Sequence, residues 1–179
     1  LVSAHREENI DSDRNFSDFL ATLDAVAKKF SHPVVVSTHP RTQKRLNEKG
    51  RTGTDGRIRF LKPMGFFDYV HLQQRAFCVI SDSGTITEEA SLLGFPAVTI
   101  RQAHERPEGM DEGTLIMCGL APQRVLEAIE VVTRQRQAGA GSARIVQDYD
   151  TDNVSQKVVR IILSYTDYVN RVVWRKLPD

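Results

Sequence analysis

The sequence predicts an α/β domain built on a parallel sheet with helices on both faces. Three observations carry this. Short apolar, β-branched runs recur along the 179 residues; stretches of helical period and ordinary helix length alternate with them; and three of the apolar runs end in polar clusters, where a rigid sheet aims its functional side chains. The chain opens as a strand end, Leu1-Val2-Ser3-Ala4, that runs straight into His5-Arg6-Glu7-Glu8-Asn9. From Asn15 to Phe30, the residues Phe16, Phe19, Leu20, Leu23, Val26, Ala27 and Phe30 recur at helical intervals behind start signals at Asp11 to Asp13, so this helix packs one face on the sheet. Pro33 to Ser37 is a β-branched strand ending in Thr38-His39-Pro40-Arg41, and a charged helix follows from about Thr42 to Lys49. Gly50 to Gly56 has the polar, glycine-rich composition of a mobile loop. Next come a strand at Ile58 to Leu61, a turn at Pro63-Met64-Gly65, a helix at Phe66 to Arg75 and a strand at Phe77 to Ile80. A helix over Ile86 to Gly94 and a strand over Ala97 to Ile100 follow. Beyond Pro122, the residues Val125, Leu126, Ile129 and Val132 form a helical stripe, with a frayed end and flexible loop over Gln135 to Ser142. Val154 to Trp174 is helical in period and rich in aromatics, and there is no internal repeat or low-complexity linker.

Length and composition narrow the function. The length suits one domain with a proper core. A formal net charge of +1, with no basic stripe interleaved with aromatics, argues against nucleic acid. No apolar run approaches the roughly 18 residues of a membrane span, and no signal-peptide pattern is present, so neither membrane nor export is expected. The two cysteines, Cys78 and Cys118, lack ligand spacing and read as buried, reduced thiols in a cytoplasmic protein. Five scattered histidines without metal-ligand spacing make a metal site unexpected; His32, His71 and His104 are given no role. The start without Met or lead-in reads as a fragment cut at a domain boundary.

The turn Ser81-Asp82-Ser83-Gly84-Thr85 lies between a strand and a helix. That order presents backbone N–H groups and a helix dipole at the carboxyl edge of the sheet, where a phosphate fits. The same residue types also cap helices in any protein, so the pentapeptide alone leaves capping and phosphate binding open. Two further polar clusters flank it, His5 to Asn9 and Arg101 with His104-Glu105-Arg106-Pro107-Glu108-Gly109.

These clusters, His5-Arg6-Glu7-Glu8-Asn9, Asp82-Ser83-Gly84-Thr85-Ile86-Thr87-Glu88-Glu89 and Glu105-Arg106-Pro107-Glu108, resemble in order and spacing the H-R-x-E-N, D-S-G-x-x-x-E-E and E-R-P-E segments of the non-hydrolysing UDP-N-acetylglucosamine 2-epimerases. The resemblance runs from Leu1 to about Leu120; the tail from Asp148 to Lys176 is similar to that of the branch making UDP-N-acetyl-L-fucosamine for capsule or lipopolysaccharide. Glu7 stands where many members have a second Arg, and Thr85 where they have a second Gly.

The resemblance implies the Rossmann-like C-terminal lobe of a glycosyltransferase-B type fold. Residues 1–179 would form one UDP-binding domain with a helical tail from about 151, and the catalytic N-terminal lobe would lie outside this chain. It implies inversion at C2 of a UDP-N-acetylhexosamine by elimination and re-addition of UDP, without a cofactor, in a homodimer; the fragment alone would be inactive. Ser83, with the Gly84 and Thr85 N–H groups, would hold the β-phosphate. His5 and Arg106 would be the catalytic residues: Arg106, aided by Arg6, would supply positive charge to the diphosphate or the sugar, and His5 would contact either of these or, alternatively, shuttle a proton near neutral pH. Glu89 would accept from the ribose hydroxyls and Tyr69 would contact the uracil. For Arg106 the plainer alternative is a surface ion pair with Glu105 or Glu108; for Glu88, a solvated charge; for Tyr69, core packing. His39 either faces the interlobe cleft or steadies the turn before Pro40. Two rival readings of the whole are the donor-binding lobe of a glycosyltransferase and a non-catalytic nucleotide-sugar module.

Overall fold

The computed structural model describes residues 1–49, 55–103, 105–138 and 144–176. It divides into two units, Leu1–Val146 and Gln147–Asp179. In the first, strands β1 (Val2–Ser3), β2 (Val34–Ser37), β3 (Ile58–Leu61), β4 (Val79–Ser81), β5 (Ala97–Thr99) and β6 (Ile116–Met117) form one sheet in the order β3-β2-β1-β4-β5-β6. Every pairing is parallel. The helices of this unit are α1 (Glu7–Ile10), α2 (Asp13–Phe30), α3 (Pro40–Lys49), α4 (Phe66–Arg75), α5 (Ile86–Leu93), α6 (Pro107–Asp111) and α7 (Pro122–Gln137).

Side chains alternate across the strands, so each central strand feeds two cores. Ile80 and Val98 point into a cluster with Phe16, Phe19 and Leu23 of α2, Leu46 of α3 and Val125 and Ile129 of α7. Their neighbours Val79 and Ala97 point the other way, against Ile86 and Ala90 of α5, Phe95 and Leu115. Helices thus cover both faces, as the alternation of apolar runs predicts. The order reverses at β1: the chain moves outward through β2 and β3, then returns to lay β4 on the other side of β1. This reversal opens a crevice at the carboxyl ends of β1 and β4.

Several boundaries differ from the sequence reading. Helix α2 begins at Asp13 because the Ser12 hydroxyl accepts from the Asn15 N–H at 3.3 Å. Helix α3 begins at Pro40, a residue suited to a first helical turn because its missing N–H would have no helical acceptor there. Strand β4 is displaced from Phe77–Ile80 to Val79–Ser81 because its register is fixed on both sides, Ile80 opposite Val2 and Val98. Phe77 falls outside the sheet, its ring 5.4 Å from that of Phe30 and 4.8 Å from that of His32. The short elements α1, α6 and β6 were not expected; stretches of two to five residues are too short to display a period. The loop expected over 50–56 lies outside the described residues at 50–54, and that over 135–142 at 139–142, with 135–137 forming the end of α7; His104 also lies outside them.

Both cysteines are free. Burial pushes the Cys78 thiol up to about 12 and the partly buried Cys118 thiol up to about 11. Cys118 is therefore less enclosed than its apolar surroundings in sequence suggest.

Helix α2 ends at Ser31, a non-glycine residue held in the left-handed region at φ 55° while its N–H still bonds the Ala27 carbonyl at 3.2 Å. A Cβ is disfavoured in that conformation. Ser31→Gly is therefore expected to raise stability by about 0.5–1 kcal/mol, read from the urea midpoint at unchanged m-value. A lower midpoint would mean that the flexibility glycine adds to the unfolded chain outweighs the relief.

In the second unit, α8 (Val154–Val172) is strongly amphipathic in pattern. Val158, Ile161, Ile162, Tyr165, Tyr168 and Val172 are all exposed. No helix among the described residues is long and apolar enough to cross a membrane.

Candidate functional site

The turn after β4 carries the polar centre of the crevice. Asp82 is wholly buried, 0% exposed, yet carries no apolar packing role. Its carboxylate accepts the His5 N–H at 3.1 Å to each oxygen, the Arg6 N–H at 3.0 Å and the Asn9 side-chain amide at 3.0 Å. The His5 ring nitrogen Nδ1 lies 3.5 Å from Oδ1. The Asp82 main-chain carbonyl accepts from Arg6 Nε at 3.1 Å. One carboxylate thus folds the loop after β1 onto the loop after β4, and α1 is the single turn that results. Read in sequence as a possible cap, Asp82 caps nothing: no side chain bonds the first turn of α5, whose N-cap residue is Thr85.

Ser83 and its neighbours form the turn that follows this anchor. Ser81 Oγ accepts the Ser83 N–H at 3.1 Å, and the Ser83 and Thr85 hydroxyls are 2.9 Å apart. Among the described residues, neither the Gly84 nor the Thr85 N–H has an acceptor. Both groups lie at the start of α5, an eight-residue helix, where N–H groups lack intrahelical partners and the dipole favours an anion. Thr85, which stands where many family members have a glycine, is exposed.

Three arginines surround the turn. Arg101, buried after β5, donates to Glu105 at 2.9 Å; Arg6 reaches the same carboxylate at 3.4 Å through both terminal nitrogens; Arg106 lies 3.7 Å from it. Arg106 Nε also donates to Glu88 at 2.6 Å. The Arg101 hydrogen bond, with Arg6 nearby, pulls the Glu105 carboxyl down to about 2, so the cluster keeps its charges well into acid. The Arg106–Glu105 pair, the plainer alternative for Arg106, is thus present at 3.7 Å, and Glu88, expected as a solvated charge, pairs with Arg106 as well at 2.6 Å.

A second pair lies beside these groups. Gln73, fully buried on α4, donates to Glu89 at 2.5 Å. Tyr69, one helical turn before Gln73, is half-buried, with its hydroxyl against Ser3 and Gln73. Burial pushes the Tyr69 phenol above its ordinary range, and the Glu89 and Asp82 carboxylates add to that push. On the far side, His39 accepts the Arg41 N–H at 3.3 Å, the turn-steadying contact, and its ring lies 6.0 Å from that of His5. Arg41 also pairs with Glu7 at 2.6 Å, so the acidic residue that departs from the family pattern has a local cation.

His5, Arg6, Ser83, Gly84, Thr85 and Arg106 thus meet at one sheet edge, with Tyr69 and Glu89 alongside. In sequence Asp82 reads only as part of the turn, a cap or a phosphate neighbour, and neither Arg101 nor Gln73 has an assigned role. The signal for Gln73 was legible: it is a polar residue four positions after Tyr69, on one helical face. A separate cavity of about 420 Å³, lined by Val26, Phe30, Val34, Leu72 and Phe77 among others, lies at the opposite ends of the strands and is mainly apolar. Among the described residues no group of three His, Cys, Asp or Glu side chains is placed to hold a metal ion.

The strand order and the crevice at its reversal place the chain among Rossmann-like α/β lobes. More narrowly, it belongs to the UDP-N-acetylglucosamine 2-epimerase family, whose model matches residues 1–163. The UDP-N-acetylglucosamine 2-epimerase of Methanococcus maripaludis is 34% identical over 133 residues, covering 73% of this chain and 36% of that protein. Among solved structures, the UDP-N-acetylglucosamine 2-epimerase of Rickettsia bellii is 44% identical with a TM-score of 0.76, covering 98% of this chain and 46% of that one. The Methanocaldococcus jannaschii UDP-GlcNAc 2-epimerase, solved in complex with UDP-GlcNAc and UDP, is 25% identical with a TM-score of 0.79, covering 91% and 44%. The chain thus spans less than half the length of these relatives.

Proposed function

We propose that this chain is the UDP-binding half of a UDP-N-acetylhexosamine 2-epimerase. The observation that carries the reading is the convergence of unpartnered turn N–H groups and three guanidiniums on the start of α5, at the edge of the sheet where Rossmann-like lobes bind ligands. Family membership and the UDP-bound relative support it.

In the proposed reaction UDP leaves C1 as the proton on C2 is removed, giving a 2-acetamidoglucal; UDP then adds back while C2 is reprotonated on the opposite face. Charge builds on the diphosphate as the C1–O bond breaks. The Ser83 hydroxyl and the Gly84 and Thr85 N–H groups would meet the β-phosphate, and Arg106 with Arg6 would supply fixed positive charge. These groups are worth most in the transition state because the leaving diphosphate is more anionic than the bound ester. His5, held through its backbone and 3.5 Å from the Asp82 carboxylate, would contact the diphosphate or the sugar. Glu89, oriented by Gln73, would accept from the ribose hydroxyls, with Tyr69 at the uracil.

We assign the carboxylates that exchange the C2 proton to the N-terminal lobe of the whole enzyme, so the fragment alone would bind UDP weakly and turn nothing over. The exposed apolar stripe of α8 supports a partner surface, which we assign to that lobe. The helical tail from about 151 is then an extension of one UDP-binding domain, residues 1–179. The substrate we favour is UDP-N-acetylglucosamine, the sugar nucleotide named for the relatives, ahead of the fucosamine-branch substrate. A homodimer working in the cytoplasm on capsule or lipopolysaccharide precursors completes the reading. The E-R-P-E segment and the Asp82-anchored loop favour an epimerase over a glycosyltransferase lobe or a silent binding module.

The test is calorimetric titration of the chain with UDP into the millimolar range. Ser83→Ala and Glu89→Ala are each expected to weaken binding about tenfold or more, with unfolding midpoints near wild type. Binding that ignores both substitutions would place the nucleotide elsewhere.

A further inference from the structure

The anion site just described is filled from within. Ser83, Gly84, Thr99, Arg101, Glu105 and Arg106 line a cavity of only about 10 Å³. That is room for a single water, not for a phosphate group. The space above the turn is taken by side chains: a methyl placed on Gly84 would lie 2.5 Å from Arg106 Nη1 and 3.0 Å from Glu105 Oε2. A phosphate entering this space would have to displace the same two groups. They differ in what holds them. Arg106 is tied to Glu88 at 2.6 Å, whereas the Glu105 side chain is half-exposed and rests wholly on arginines. Arg101 stays, with its side chain only 8% exposed. Two polar atoms lining this cavity's residues, Arg101 Nε and Thr99 Oγ1, are buried without a partner among the described residues. Such atoms are costly unless something completes them.

The geometry points to Glu105 as an internal stand-in for the diphosphate. Its carboxylate binds Arg6, Arg101 and Arg106 in the absence of ligand, keeps the three guanidiniums gathered over the turn, and swings out when a diphosphate takes its place. Glu105 is then a positioning residue that sets the affinity of the site. It spares the protein the repulsion of three bare cations, and it lowers affinity because the ligand must evict a competing anion. This rests on the diphosphate reading above.

The experiment is calorimetry of the 179-residue chain with UDP and, separately, with inorganic pyrophosphate, at fixed pH and ionic strength. Glu105→Gln keeps the length of the side chain but removes the competing charge, and is expected to bind both ligands about tenfold more tightly than wild type. The gain should be equal for the two ligands, because only phosphate meets Glu105. Glu105→Asp, too short to span the same arginines, should also gain. Ser83→Ala should weaken binding in either background. Equal or weaker binding by Glu105→Gln, or a gain confined to UDP, would overturn the role of Glu105 while Ser83-dependent binding kept the site itself. Absence of binding by every variant would overturn the site and, with it, this proposal.

Discussion

Asp82→Ala is expected to cost about 3–5 kcal/mol of stability, read from urea unfolding, and to abolish UDP binding in whatever fraction stays folded. The cost follows from what is left behind. The His5 and Arg6 N–H groups and the buried Asn9 amide all lose their acceptor, a carboxylate that is itself 0% exposed. Asp82→Asn should recover only part of the loss, because it keeps one acceptor oxygen while its own N–H₂ faces donors. A loss below about 1 kcal/mol would show that the loop after β1 is held by something other than this carboxylate.

The largest kinetic effect is expected at Arg106. In the two-lobe epimerase proposed above, Arg106→Ala should lower kcat/KM for UDP-N-acetylglucosamine about 10²–10³-fold, as loss of one preorganised charge contact to a developing anion does. Stability should barely change, since the Glu88 partner is itself more than a third exposed and such pairs contribute little. Arg106→Lys should restore a fraction, because an ammonium carries the charge but not the two-pronged geometry. The assay is interconversion of the two C2 epimers. A loss smaller than tenfold would move Arg106 from the reacting groups to the loop structure.

Periodicity made the sheet legible, because strands buried on both faces read as continuous apolar runs and α2 displays its buried face at Phe16, Phe19, Leu23 and Ala27. Motif spacing brought out the polar clusters at three strand ends. What period could not supply was register: β4 starts at Val79 rather than Phe77 because β1 and β5 fix its pairing from outside the segment. Nor could it supply the partner of a charge. Glu88 and Glu89 are adjacent in sequence, yet one pairs with Arg106 and the other with Gln73, because their directions on the helix diverge. Asp82 stood in plain view within the turn, but its function depends on a loop brought to it by the sheet. A carboxylate's burial is a tertiary fact, and nothing local distinguishes a cap from an anchor.

The tie between the loops after β1 and β4 also fixes when the binding site comes into being. Asp82 meets His5 across 77 positions of chain, and Arg6 meets Glu105 across 99. Contacts so distant carry a loop-closure cost that must be met before they repay it, so they form slowly and together with the sheet that carries them. While the chain is being synthesised, the first loop must wait for residues made much later, and a partly folded chain has no place for a ligand. Ligand bound at the proposed site would therefore report that the first loop has already met the turn after β4 and Glu105.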